Sequence, residues 1–197
     1  MNSIKIEGQK RSELGQKAAN DARRADLVPC VLYGGKENVH FTVSAKMLKD
    51  IVYSPNIYNV HITVDGKTHS TLLKDLQFHP VTEKLLHLDF MELEENKKVL
   101  IEVPIKLTGT SIGVRAGGKL LVKLRKVTIK AFPKDLISEL AVDITELDLG
   151  KSLKVKDLSY PNVEILNSPS NPVATIEIPR SLKSAETAKA KESGKKK

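Results

Sequence analysis

Three residues of ligand type stand close together in the chain: His79, His87 and Asp89. They raise the question of a metal-dependent hydrolase. Their spacing, H-x7-H-x-D, matches no established ligand grammar, and no cysteine joins them. In an extended strand His87 and Asp89 share one face, while Leu86, Leu88 and Phe90 take the other. Two polar side chains projecting together from an apolar strand form either an external binding edge or a solvated face. The single cysteine, Cys30, lies in the apolar run Val28-Pro29-Cys30-Val31-Leu32, where a buried inert thiol is expected rather than a nucleophile. Gly34-Gly35 and Gly117-Gly118 lack the surrounding pattern of a phosphate-cradling loop. No Ser, Cys or Lys has an activating partner nearby in sequence. An enzyme is not expected, nor a metal, a cofactor or a small-molecule substrate.

The strongest binding chemistry lies nearer the N-terminus. From Lys10 to Arg24 there are five basic residues against two acidic ones, with Lys17 in the first turn of a candidate helix and Arg23-Arg24 at its end. Arginine can contact phosphates or bind a guanine edge with two bonds. The bland alternative is a solvated helix face, which charge alone would favour. Tyr33 ends an apolar run beside a glycine turn, so it is either an RNA-stacking ring or a rim tyrosine.

The elements that must position these residues are mostly strands. Only four Phe, four Tyr and no Trp are present among 197 residues, so the core is aliphatic. Ile4 to Gly8, Val28 to Tyr33, His40 to Val43, Val60 to Val64, Lys67 to Leu73, Lys74 to Pro80 and Leu85 to Phe90 read as short strands, with Asp65-Gly66 a hairpin turn. Two helices interrupt them. In the first, Ser12 to Asp26, the alanines at 18, 19, 22 and 25 form a small-residue face, leaving Lys17, Asn20, Arg23 and Arg24 on the remaining surface. The second begins at Ser44 as N-cap and runs to about Tyr53, with Met47, Leu48, Ile51 and Val52 as its apolar stripe. The expected fold is mainly β: a barrel with two short helices over residues 1–93, then a sandwich-like β domain over 94–180. Val99 to Ile105, Leu120 to Leu124, Val127 to Ala131, Ala141 to Ile144, Val155, Val163 to Leu166 and Val173 to Ile178 supply the strands of the second domain.

Residues 181–197 change composition abruptly and read as a disordered, lysine-rich tail. The net charge of +8 suggests a polyanionic partner. Its distribution is uneven: residues 1–93 hold 12 basic against 11 acidic residues, and the tail holds six against two. The barrel must therefore bind RNA, if it does, through a local patch. No run is long enough to span a bilayer and the N-terminus carries charge, so a cytoplasmic protein without a membrane partner is expected.

Gly15-Gln16-Lys17-Ala18-Ala19, Arg23-Arg24 and Val28 to Gly35, followed by Gln77-Phe78-His79-Pro80 and His87-Leu88-Asp89-Phe90, resemble one ribosomal family. It is the family of bacterial large-subunit ribosomal proteins that bind 5S rRNA, in its long two-domain form, the general stress protein CTC family. Val103-Pro104-Ile105, Gly113 to Gly118 and Val142-Asp143-Ile144 extend the likeness, which covers about residues 3–179. The resemblance implies a structural component of the ribosome that meets 5S rRNA and other large-subunit components. Arg11, Lys17, Arg23 and Tyr33 would contact the RNA from the first motif, and Gln77, His79, His87 and Asp89 from the second. Asn20 and Asp21 stand where the family usually has Arg or Lys, and Phe78 where some members have Arg; the tail would compensate non-specifically. The alternative is a stress-related protein that associates with the ribosome conditionally through its C-terminal domain.

Overall fold

A computed structural model describes residues 2–35 and 37–179; the lysine-rich tail expected over 181–197 lies outside the described residues. The elements in the first half are β1 (Ser3–Lys10), α1 (Gln16–Arg24), β2 (Leu27–Tyr33), β3 (Val39–Ser44), α2 (Lys49–Val52), β4 (Asn59–Val64), β5 (Lys67–Phe78) and β6 (Leu85–Glu92). Those of the second half are β7 (Val99–Thr108), α3 (Ile112–Arg115), β8 (Lys119–Val122), β9 (Lys126–Ala131), β10 (Leu140–Asp143), β11 (Ser152–Lys154), β12 (Glu164–Ile165) and β13 (Pro172–Glu177). The chain is mainly β, as its alternating aliphatic runs require. Its described residues fold into two compact units, the first running to Val103 and including Lys130–Glu139, the second made of Pro104–Ile129 and the residues from Leu140 onward.

The first unit holds a closed barrel in the order β1-β3-β2-β6-β5-β4. The β1–β4 and β2–β6 pairs are parallel and the others antiparallel. Closure removes sheet edges and places every second side chain inside. Ile6, Cys30, Leu32, Phe41, Val43, Val60, Ile62, Leu88 and Phe90 fill the interior, each no more than 1 % exposed. Phe41 and Phe90 meet there with ring centroids 6.0 Å apart. Asp65 and Gly66 both have positive φ (49° and 77°), the conformation a two-residue hairpin turn demands. β5 continues unbroken from Lys67 to Phe78, with register shifts at Leu73/Asp75 and at Gln77/Phe78. Such bulges bend a strand and re-aim its side chains.

The helices are shorter than their sequence pattern suggests. Ser44 belongs to β3, paired with Leu27, and its carbonyl accepts from the Met47 amide in a turn. It therefore caps nothing, and the helix begins only at Lys49. Leu48 and Ile51 are buried as expected, but Met47 is 46 % exposed. α1 starts after Gly15, whose φ of 111° is a conformation glycine alone adopts easily. Ala18, Ala19 and Ala22 are half-buried, whereas Ala25 is exposed.

In the second half of the chain a four-stranded sheet, β10-β7-β9-β12, accompanies a three-stranded one, β11-β13-β8. Val127, Ile129, Leu140, Val173, Ala174 and Ile176 are fully buried in it. The segment at Val155, expected as strand, is one turn of 3-10 helix (Val155–Asp157). Ser111 caps α3 by accepting from the Val114 amide at 3.1 Å. A Cβ on Gly113 would meet the Asp148 and Leu149 backbone at 2.7 Å, so this turn packs at a distance that excludes a side chain.

Candidate nucleic-acid interface

Strand β6 supplies the centre of the site. Leu88 and Phe90 are wholly inside the barrel, which turns His87 and Asp89 outward. Their side chains, about 30 % exposed, pair through His87 Nδ1 and an Asp89 oxygen at 2.7 Å. Asp89 thus holds the Nδ1 side of the imidazole, and Nε2 is left for a ligand. Cross-strand register gives the neighbours: Gln77 lies opposite His87, and Asp75 opposite Asp89. On the other side Val31 is registered with Asp89, and Tyr33 with Met91.

The same face continues over β3 and past the end of β1. Val31 is registered with His40, and the Arg11 amide donates to the His40 carbonyl at 2.9 Å. A single cross-strand row thus reads Arg11, His40, Val31, Asp89, Asp75. Arg11 is half-buried, and its Nη2 is buried without a hydrogen-bond partner among the described residues. A desolvated guanidinium N–H without an acceptor is costly in a folded protein. Burial first, and then the Asp89 and Asp75 carboxylates, hold the Tyr33 phenol above its ordinary pKa, so it remains a neutral O–H donor. Cys30 is inside the barrel, where burial raises its thiol pKa strongly and suppresses the thiolate.

Arg23 differs from its sequence expectation. It is half-buried rather than on the open surface of α1, because Nε donates to the Leu86 carbonyl at 3.1 Å. That bond ties the helix to the strand carrying His87. Nη1 donates to Asn20 Oδ1 at 3.0 Å. Asn20 is therefore a tether for Arg23, and Asp21 similarly meets Arg24 at 3.4 Å. Lys17 is exposed on the first turn of α1.

His79 is also distinct from the His87–Asp89 strip. Its Nδ1 accepts from the Val81 and Thr82 amides at 3.3 and 3.2 Å, and its carbonyl accepts from the Glu83 amide. The ring builds the β5–β6 turn and, with Arg23, lines a pocket at that end of the barrel. Its ligand capacity is thereby reduced to Nε2. Among the described residues no group of three or more His, Cys, Asp or Glu side chains is arranged to hold a metal ion. No helix among them is long and apolar enough to cross a membrane.

The structure thus brings Arg11, Tyr33, Gln77, His87 and Asp89 onto one outer face and places Arg23 with His79 at its edge. It adds His40 and Asp75, which lie outside both sequence motifs. The signal for His40 is present in the alternation of Val39-His40-Phe41-Thr42-Val43, which sends His40 and Thr42 outward whenever Phe41 points in.

The first unit is thus a small closed β-barrel with a polar outer strip and its one cysteine in the interior. Comparison with known proteins gives the family. Residues 6–90 match the Ribosomal L25p family, and residues 98–180 match the C-terminal domain of ribosomal protein TL5. The chain is 44 % identical to the large ribosomal subunit protein bL25 of Cytophaga hutchinsonii over 191 residues, covering 97 % of this chain and 100 % of that one. It is 42 % identical to the bL25 protein of Amoebophilus asiaticus over 197 residues, the whole of both chains. With that of Azobacteroides pseudotrichonymphae the identity is 41 % over 185 residues, 93 % of this chain and 98 % of the other. The chain belongs to the ribosomal L25p family, in the form that carries a TL5-type C-terminal domain. That family is one of ribosomal structural proteins, not of enzymes.

Proposed function

We propose that this protein is a structural component of the large ribosomal subunit, located on the cytoplasmic ribosome, and that its barrel binds 5S rRNA. The domain that does so is residues 1–93; residues 94–180 form a second domain that meets other large-subunit components, and 181–197 a basic extension. The observation that carries this reading is the cross-strand row that unites two sequence-distant motifs, Arg11–Tyr33 and Gln77–Asp89, on one face. Its donors and acceptors suit base edges and backbone together. Arg11, Lys17 and Arg23 offer positive charge to the RNA backbone, and an arginine can also bind a guanine edge. Tyr33 offers a neutral hydroxyl, and Gln77 an amide that both donates and accepts. Asp89 need not repel RNA, because a carboxylate accepts from a base amino group. His79 contributes through Nε2 beside Arg23.

Titration of 5S rRNA with the purified full chain tests the reading. Arg11→Ala and His87→Ala are expected to weaken binding by about 1–3 kcal/mol each, the range for losing a specific polar base contact. Thermal unfolding should stay nearly unchanged for His87→Ala, whose side chain lies outside the core. Wild-type affinity in both variants would remove this face as the binding surface.

A further inference from the structure

Tyr53 and Phe78 are aromatic residues that a soluble barrel would ordinarily cover, yet Tyr53 is 70 % exposed and Phe78 38 %. They come from separate elements and pack together with ring centroids 6.2 Å apart and planes inclined by 37°. Both are held in place by backbone. The Tyr53 amide donates to the Lys49 carbonyl at 3.0 Å and closes α2. The bulge at Gln77/Phe78 slips the register so that Phe78 is paired with Leu85. Tyr53 also lines a pocket of about 310 Å3 together with Arg23, Lys49, His79 and Lys84, above a floor of aliphatic side chains. That is the small end of ligand pockets, room for one ring system rather than a chain. Asp26 and Glu83 share the rim, so the local charge is only weakly positive.

We propose that the Tyr53–Phe78 pair, in which Tyr53 lines this pocket and Phe78 packs against Tyr53, is a stacking platform for one unstacked base of the bound RNA. The proposal rests on the RNA-binding reading above and extends it to Tyr53, which lies outside both sequence motifs, and to Phe78, which the resemblance gave no RNA contact. Unpaired RNA bases are recognised by stacking on exposed aromatic rings, commonly with Arg or Lys beside them for the backbone. Arg23 belongs to both regions: it bonds the Leu86 carbonyl next to His87 and it lines the pocket. An RNA lying on the His87 strip therefore reaches the pocket mouth without leaving the protein surface. A protein partner would be expected to cover the rings with apolar side chains. The pocket lining instead holds three cations, Arg23, Lys49 and Lys84, against Asp26 and Glu83, a small positive excess that suits a phosphate-bearing partner. Because Asp26 and Glu83 offset two of the three cations, stacking supplies most of the binding, and the rings' own contribution depends little on salt.

The sequence contains no tryptophan, so Phe78→Trp creates a single reporter at the platform. Adding 5S rRNA to that full-length variant is expected to quench its emission. Tyr53→Ala and Phe78→Ala are expected to weaken 5S rRNA binding roughly tenfold, the effect of losing one base stack, with the salt slope unaltered. Phe78→Leu, which keeps apolar bulk without a ring and guards the fold, should lose affinity similarly. If the wild type binds but all three variants bind equally well and the tryptophan is not quenched, the platform is refuted. If those variants instead fail to enter large-subunit particles while keeping RNA affinity, the rings meet a protein and the proposal is also refuted. A wild-type chain with no 5S rRNA affinity would overturn the underlying reading, and this one with it.

Discussion

Arg11 and Arg23, both proposed to meet RNA, are held in opposite ways. Arg11 keeps one buried N–H without an acceptor, whereas Arg23 commits Nε and Nη1 to Leu86 and Asn20 and holds a fixed orientation. A guanidinium already ordered in the free protein loses less rotamer freedom on binding. Asn20→Ala should therefore weaken 5S rRNA binding by about 0.5–1.5 kcal/mol, the cost of immobilising one long side chain at an interface. A double-mutant cycle checks it. In an Arg23→Ala background the Asn20 substitution should have no further effect, and an equal loss there would show that Asn20 acts on its own. Asn20→Asp keeps an acceptor oxygen for Nη1 and should retain Arg23's orientation. The absence of a cation at position 20, a deficit when read from the sequence, is thus partly offset by the geometry it gives to position 23.

At the scale of elements, the barrel strands were legible because a half-buried strand writes its pleat into the sequence as alternation, as in Val60-His61-Ile62-Thr63-Val64. The hairpin at Asp65-Gly66 was legible for a similarly local reason. What escaped depended on partners far along the chain. Arg23 is drawn inward by a carbonyl 63 residues away, and Ser44 is taken into β3 by its pairing with Leu27, which cancels a plausible N-cap. The bulge at Gln77/Phe78 left no compositional mark. Neither did the burial of Arg11, since its neighbours come from other strands. Helix α1 was legible in its alanine face but not in how lightly it is held: none of its residues is fully buried. That makes Gly15 a sensitive position. A Cβ there would have nothing within 4 Å, so Gly15→Ala introduces no clash and its cost is conformational alone, about 1–3 kcal/mol for a non-glycine residue at that φ. The helix can relieve the strain by fraying. The Ala19 amide, bonded to the Gly15 carbonyl at 3.1 Å, should then exchange faster with solvent while the barrel amides keep their protection. Unchanged exchange at Ala19 would mean that the start of α1 accommodates alanine.

For the molecule as a whole, charge is separated from specificity. Residues 1–93 carry 12 basic and 11 acidic residues, so the proposed RNA face works through a local arrangement of donors and acceptors inside a nearly neutral domain. Residues 181–197 carry six lysines against two glutamates, half of the net charge in under a tenth of the chain. Counterion release makes phosphate contacts salt-dependent, whereas stacking and base-edge bonds are much less so. Deleting residues 181–197 should therefore lower 5S rRNA affinity at low salt and flatten the plot of log K against log salt. The curves for the full and shortened chains should converge as salt rises, because screening removes the tail's contribution and leaves the barrel's contacts intact. His87→Ala should do the reverse, displacing the curve downward by a similar amount at every salt concentration. Parallel curves for the tail deletion would assign it specific contacts, and coincident curves would leave the barrel to hold the RNA with Arg11, Lys17 and Arg23 as its phosphate-facing charges.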